Sequence, residues 1–204
     1  IYSIENFLTS RRLMYWSVYL HKTVVAYEKT LINTLRRAEY LAKQGWDIFA
    51  SPALKYFLYN DIDARWFEEH PETLDWYSQL DDNDIWSALK VWAHSKDMIL
   101  SMLATDVINR HIFKVEVREA PVEGDELETI RKSIAEKAGI DEVDVGYFMS
   151  VSTVQKDMYD INDDHISILY KDGVIKDIAD ASELLNVDLL SKKIRKYYLC
   201  YQRF

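Results

Sequence analysis

Between Ile1 and Gln44 the chain holds neither glycine nor proline, and apolar residues recur along it at helical spacing. Ser3 is positioned as an N-cap, the periodicity continues to about Ala42, and Gly45 supplies the stop. A helix of that length exceeds the usual globular helix and predicts the spine of a bundle. The rest of the sequence agrees: five Gly and three Pro in 204 residues favour long regular elements over a loop-rich scaffold. At 204 residues the chain can hold one large domain or two small ones, and 49% apolar with 13% aromatic residues argues against disorder.

Shorter helices are expected downstream. Ser51-Pro52 is a cap followed by proline at the first helical position, opening a helix that ends near Tyr59-Asn60. Asp61 is expected to cap a helix through Phe67, and Pro71 to begin one through about Leu80. The acidic run Asp81-Asp82-Asn83-Asp84 precedes Ile85, Trp86, Leu89 and Trp92, and Lys96-Asp97 starts a helix through Ile108. After Asn109 the pattern changes. His111 to Arg118 alternates as a strand, Asp125 caps a helix to about Ala138, and Val143 to Val154 is rich in β-formers. A hairpin is expected from Ile166–Tyr170 through the turn Lys171-Asp172-Gly173 to Val174–Ile178, then a helix over Ala181–Leu190 and a strand over Ile194–Tyr201. The expected fold is mainly α: a helical segment over 1–110, then a smaller α+β subdomain over 111–204.

The single Cys200 excludes an internal disulfide and fits a reducing cytoplasm. Within these 204 residues there is no run of about 18 apolar residues and no stretch patterned as a secretory leader. A net charge of −9 argues against general nucleic-acid or membrane-surface binding. The charge is uneven, however. Residues 1–44 carry seven Lys and Arg against three Glu, a local +4 that leaves −13 for the remainder. Basic character confined to one helix suits a small anionic ligand better than a polyanion.

Within that helix Arg11, Tyr15, Tyr19 and Lys22 fall at roughly 0°, 40°, 80° and 20° on a helical wheel. A guanidinium, an ammonium and two phenols on one stripe can hold a phosphorylated ligand. Spacing alone favours the simpler reading, two tyrosines packed on a neighbouring helix with the cations reaching solvent. Other chemistry is sparse. No two of His21, His70, His94, His111 and His165 stand at helical metal-ligand spacing, and the five glycines never cluster into a phosphate loop. Cys200 lies among Tyr198, Leu199 and Tyr201 in an expected strand and reads as core. Asp81, Asp82 and Asp84 are accounted for by helix capping, and Asp163-Asp164-His165 by the entry to a strand. No catalytic residue and no metal ligand is assigned to this chain.

Three ordered segments resemble one family. Arg11-Arg12-Leu13-Met14-Tyr15-Trp16, continuing through Val18-Tyr19 and His21-Lys22-Thr23, is similar to a helix that follows a metal-binding core. Asn109-Arg110-His111-Ile112-Phe113-Lys114 is similar to an Arg-x-Leu-Phe-Lys segment. Asp163-Asp164-His165-Ile166-Ser167 and Ile194-Arg195-Lys196-Tyr197-Tyr198 are similar to a C-terminal sheet. Together they resemble the C-terminal part of the HD-superfamily phosphohydrolases, in particular the dNTP triphosphohydrolases of the SAM-and-HD-domain group. The resemblance makes residues 1–110 the end of an HD-type helical domain. It implies that Arg11 contacts substrate phosphate and that Tyr19 borders the deoxyribose. Tyr15 stands where the family's human member carries a histidine near the reacting phosphate. It further implies that His21, Lys22, Arg110, Ile112 and Lys114 hold an activating nucleotide between subunits of a homo-oligomer, which gives Lys22 a different pocket from Arg11.

The family's catalytic divalent metal is held by a His, a His-Asp pair and a distant Asp, yet no His-Asp dipeptide occurs in these 204 residues. The expectation is a C-terminal piece with substrate-side and regulatory residues, inactive alone, whose metal ligands lie upstream of Ile1. dNTPs are then substrate and activator, and no metal is expected on this chain itself. Two other functions remain compatible with the residues: a nucleotide-binding regulatory or oligomerisation module without chemistry, and a helical interaction scaffold whose many aromatics line a buried interface.

Overall fold

The basic N-terminal stretch is not one rod. In the computed structural model, which describes residues 1–156, 166–182 and 194–204, helix α1 spans Tyr2–Met14. A π-helical turn follows at Tyr15–Tyr19, and α2 runs over Lys22–Lys43. The Leu20 amide donates back to the Tyr15 carbonyl at 2.8 Å, the five-residue step of a π turn, and Leu20 itself leaves the helical region (φ −101°, ψ 13°). Four of the five residues in that turn are aromatic or β-branched, the side chains that crowd the preceding helical turn. Ser3 does not cap α1; Ile1 takes that position, and its carbonyl receives the Ile4 and Glu5 amides at 2.9 and 3.1 Å.

Gly45 does stop α2. Its φ of +86° is reached cheaply only by glycine, and the bonds Gly45 N–H to Ala42 and Trp46 N–H to Leu41, both 3.0 Å, close the helix end. Five helices then follow with side-chain caps or proline starts. Helix α3 (Pro52–Tyr59) is capped by Ser51, whereas α4 (Ala64–Glu69) is capped by Asp63 rather than Asp61, whose carboxylate instead meets Lys43. Helix α5 (Glu72–Gln79) starts after Pro71, and α6 (Asp82–Trp92) opens on a reciprocal capping box between Asp81 and Asp84. Asp97 caps α7 (Met98–Asn109) through the Leu100 amide at 2.8 Å.

The remaining elements are β1 (Lys114–Arg118), α8 (Gly124–Ala138), a 3₁₀ segment (Glu142–Tyr147), β2 (Met149–Lys156), β3 (Ser167–Leu169), β4 (Ile175–Asp177), α9 (Ile178–Ala181) and β5 (Ile194–Tyr201). The expected strand from Val143 therefore begins only at Met149. Val143 is 83% exposed while Val145 is fully buried, so alternation there comes from a tight helix rather than a pleat. Strands β1, β5 and β2 form one sheet in that order. Strands β3 and β4 pair antiparallel, with Ile168 opposite Lys176, through a turn in which Gly173 adopts φ +84°. Asp163-Asp164-His165 and most of the helix expected over Ala181–Leu190 lie outside the described residues. The fold is mainly α with a small α+β region towards the C-terminus.

The chain divides into two compact units. One comprises Ala26–Lys114, Glu128–Ser150 and Cys200–Phe204. Its core packs Leu41, Leu54, Leu89, Trp92 and Leu100 around Ala38, Ala42, Ala88 and Ala104, small residues that allow helices to approach closely. The other comprises Ile1–Val25, Val115–Leu127 and Val151–Leu199. Its core is small: Leu8, Ile178 and Ala179, with Ile4, Ile166 and Ile168 packed against them. Buried Glu5 accepts a hydrogen bond from the Ser182 hydroxyl beside that cluster.

Candidate functional site

Arg11, Tyr15 and Tyr19 line one cleft of about 450 Å³, together with Phe7, Ser10 and Met14. The helical repeat of α1 brings Arg11 under Tyr15, and the slower winding of the π turn keeps Tyr15 and Tyr19 on one face. The two tyrosine rings stand 5.3 Å apart between centroids at a tilt of 53°, and the Arg11 guanidinium lies 5.9 Å from the Tyr15 centroid. Arg11 is exposed and makes no ion pair among the described residues. Lys22 does not line this cleft. It starts α2 beyond the break at Leu20, so the wheel that placed it 20° from Arg11 does not carry across. Trp16, on the same turn, is instead covered by the Lys196 ammonium at 4.5 Å.

The second group of residues is spread over both units. His21 and Lys22 are exposed at the start of α2, where His21 Nδ1 accepts the Thr23 amide at 3.3 Å. Arg110, Ile112 and Lys114 share the short connection from α7 into β1. Arg110 is an exposed non-glycine residue in the left-handed region (φ 59°, ψ 32°) and terminates α7. Ile112 is half-buried. Lys114 Nζ donates to the Tyr201 hydroxyl at 2.7 Å and lies 5.1 Å from that ring's centroid.

Asp106, which sequence patterning does not single out, sits one turn before Arg110. Burial raises its carboxyl pKa to about 6, with His111 pulling the other way across 3.8 Å. Gln202 Nε2 donates to it at 2.7 Å. The available signal is a carboxylate inside the apolar run of α7, between buried Ala104 and Val107. Arg37 is the opposite case. Its burial disfavours the charge, but the hydrogen bonds and attraction of Asp97 outweigh this and hold the guanidinium above its usual range.

No group of three or more His, Cys, Asp or Glu able to hold a metal occurs among the described residues. Asp81 and Asp84 are committed to the α6 cap, Asp81 Oδ1 to the Asn83 amide at 2.7 Å and Asp84 Oδ2 to the Asp81 amide at 2.8 Å. Cys200 is fully buried, and burial pushes its thiol up to about 11, which suits a core residue and not a nucleophile. Among the described residues, no helix is long and apolar enough to cross a membrane.

No family model matches the chain. Over 98% of its length it is 28% identical to the uncharacterized protein YwfO of Bacillus subtilis, of which it covers 45%. It also aligns with the crystal structure of a phosphohydrolase from Bacteroides thetaiotaomicron at 57% identity and a TM-score of 0.92, covering 99% of this chain. The chain is similar to a phosphohydrolase. It spans 50% of that protein's length, so it corresponds to about half of each relative.

Proposed function

We propose that this chain forms the substrate-side part of a metal-dependent HD-type phosphohydrolase that cleaves dNTPs to deoxynucleoside and triphosphate. The observation that carries the reading is the 57% identity to a phosphohydrolase over 99% of the chain. The cleft supports it, because it offers a guanidinium with no ion pair among the described residues beside two phenol rings. Arg11 neutralises phosphate charge with a planar fork of donors. Tyr15 and Tyr19 present ring faces and hydroxyls to the sugar and the reacting phosphate. A divalent metal belongs to residues outside the described ones, and the described residues supply binding and orientation only.

In the same reading His21, Lys22, Arg110, Ile112 and Lys114 hold an activating dNTP in a homo-oligomer. The left-handed Arg110 supports this, since a strained non-glycine conformation is retained where its side chain has work to do. The test is product analysis on the full-length protein with dGTP and dATP. Stoichiometric deoxynucleoside and triphosphate are expected, and Arg11→Ala is expected to suppress both while circular dichroism stays unchanged. Unaltered kcat/KM in Arg11→Ala rejects the role given to the cleft. Release of orthophosphate alone rejects the reaction.

A further inference from the structure

A second cleft, of about 480 Å³, lies between α8 and residues 201–204, and nothing in the proposed phosphohydrolase reaction uses it. Its floor is apolar, from Ile130 and Ile134, and its polar lining includes Ser133, Lys137 and Arg203. Among the described residues, no Asp or Glu side chain lines it, on a chain whose net charge is −9. Lys137 and Arg203 are both exposed, and neither makes an ion pair among the described residues.

The wall opposite α8 is held in place. The Gln202 amide donates to the Phe148 carbonyl at 2.9 Å, and Gln202 Nε2 donates to Asp106 at 2.7 Å. The Phe204 ring packs 5.8 Å from Phe148 between centroids yet remains 44% exposed, which leaves an aromatic surface at the cleft. Two cations without an ion pair among the described residues, a hydroxyl and an apolar floor with an aromatic edge define the complementary ligand. It carries a doubly charged head and a small flat apolar body, and the volume suits a molecule of that size.

We propose that this cleft binds a small organic phosphate monoester, with Lys137 and Arg203 on the phosphate and Ile130, Ile134 and Phe204 on the organic group. The inference does not depend on the Arg11 cleft. The test is calorimetry on the intact protein with phenylphosphonate, a dianion whose carbon–phosphorus bond resists phosphate-ester hydrolysis. Saturable binding is expected, weakened about tenfold in Lys137→Ser and in Arg203→Ser and unchanged in Arg11→Ala. Ser133→Phe, which fills the cleft but keeps both cations, is expected to abolish it. Benzoate (same ring, one charge) and inorganic phosphate (no ring) should each bind about tenfold more weakly. The proposal is overturned by binding that survives the Lys137→Ser/Arg203→Ser double variant. It is equally overturned by loss in Arg11→Ala alone, by benzoate binding as tightly as phenylphosphonate, or by no saturable heat at a Kd tighter than about 1 mM.

Discussion

Arg11 and Arg37 differ in everything but their side chain. Arg37 is buried and chelated: Nε and Nη2 donate to the two oxygens of Asp97 at 3.1 and 2.7 Å, and Nη1 donates to Asp144 at 2.9 Å. The rings of Tyr40 and Tyr147 flank it at 5.2 and 5.0 Å. Arg11 is exposed, makes no ion pair among the described residues, lies beside the Tyr15 ring, and lines a cleft. On a continuous helical wheel Arg37 falls at roughly 80° from Arg11, inside the same stripe. Periodicity cannot separate the two, because what distinguishes them is the carboxylates that arrive from 60 and 107 residues away. A cation with such partners belongs to the fold, and a cation left without them is available to a ligand.

The sharpest way to break this distinction is Arg37→Met. The substitution leaves Asp97 and Asp144 without their cation, Asp97 at a side-chain exposure of 10%. Removing one partner of a buried pair costs about 3–5 kcal/mol, and urea unfolding of the variant should show a loss of that size. A loss below about 1 kcal/mol would mean that water already screens the pair and that Arg37 is no more structural than a surface cation.

Arg11→Ala should do the reverse. Stability should change by no more than about 0.5 kcal/mol, as for other exposed sites. Activity of the full-length protein should fall, because a charge-assisted hydrogen bond to phosphate contributes about 1.5–3 kcal/mol, or roughly 10- to 150-fold in kcat/KM. Matched urea curves and initial rates give both numbers from one preparation. If stability falls and the rate does not, the two arginines have exchanged roles.

These contrasts also mark where sequence reasoning reaches. Local chemistry was legible: the Ser51 cap, the Asp81–Asp84 box, the Gly45 stop and the Gly173 hairpin turn each depend on residues within a few positions. The cleft trio of Arg11, Tyr15 and Tyr19 was legible for the same reason. The π turn was not, since a single five-residue step leaves the apolar pattern of α1 and α2 intact and changes only their phase. Asp63 displaced Asp61 as a cap because Asp61 found Lys43. Arg37 and Asp106 were invisible because burial and distant partners define them.

Asp106 extends the comparison to carboxylates, since Asp97 has a guanidinium and Asp106, among the described residues, has the His111 ring at 3.8 Å and an amide. Its folded pKa of about 6 lies above its unfolded value. Between pH of about 4 and 6 the native state keeps a proton that the unfolded chain has released. Stability therefore falls as pH rises through that window, and the loss persists above it. Asp106→Asn removes the loss, and at pH 7 the variant should be more stable by roughly 1–2 kcal/mol, against an upper bound of about 3 kcal/mol. The advantage should vanish by about pH 4. A variant with an unchanged pH profile would show that Asp106 ionises as freely as an exposed carboxylate.

Arg110 offers the smallest and most discriminating test. Like Arg11 it is an exposed cation without an ion pair among the described residues, but its backbone sits at φ 59°, where side chains bring strain. Glycine reaches that conformation freely, and the relief is partly offset by the extra freedom glycine gives the unfolded chain. Arg110→Gly should therefore stabilise the protein by about 0.5–1 kcal/mol in a thermal or urea titration. If the guanidinium also holds an activating nucleotide, the same variant should lose dGTP-dependent activation in the full-length protein. A gain in stability coupled to that loss means the strain persists for the sake of the ligand. A gain without it returns Arg110 to the helix end and leaves Arg11 as the one cation of the pair whose exposure has a chemical purpose.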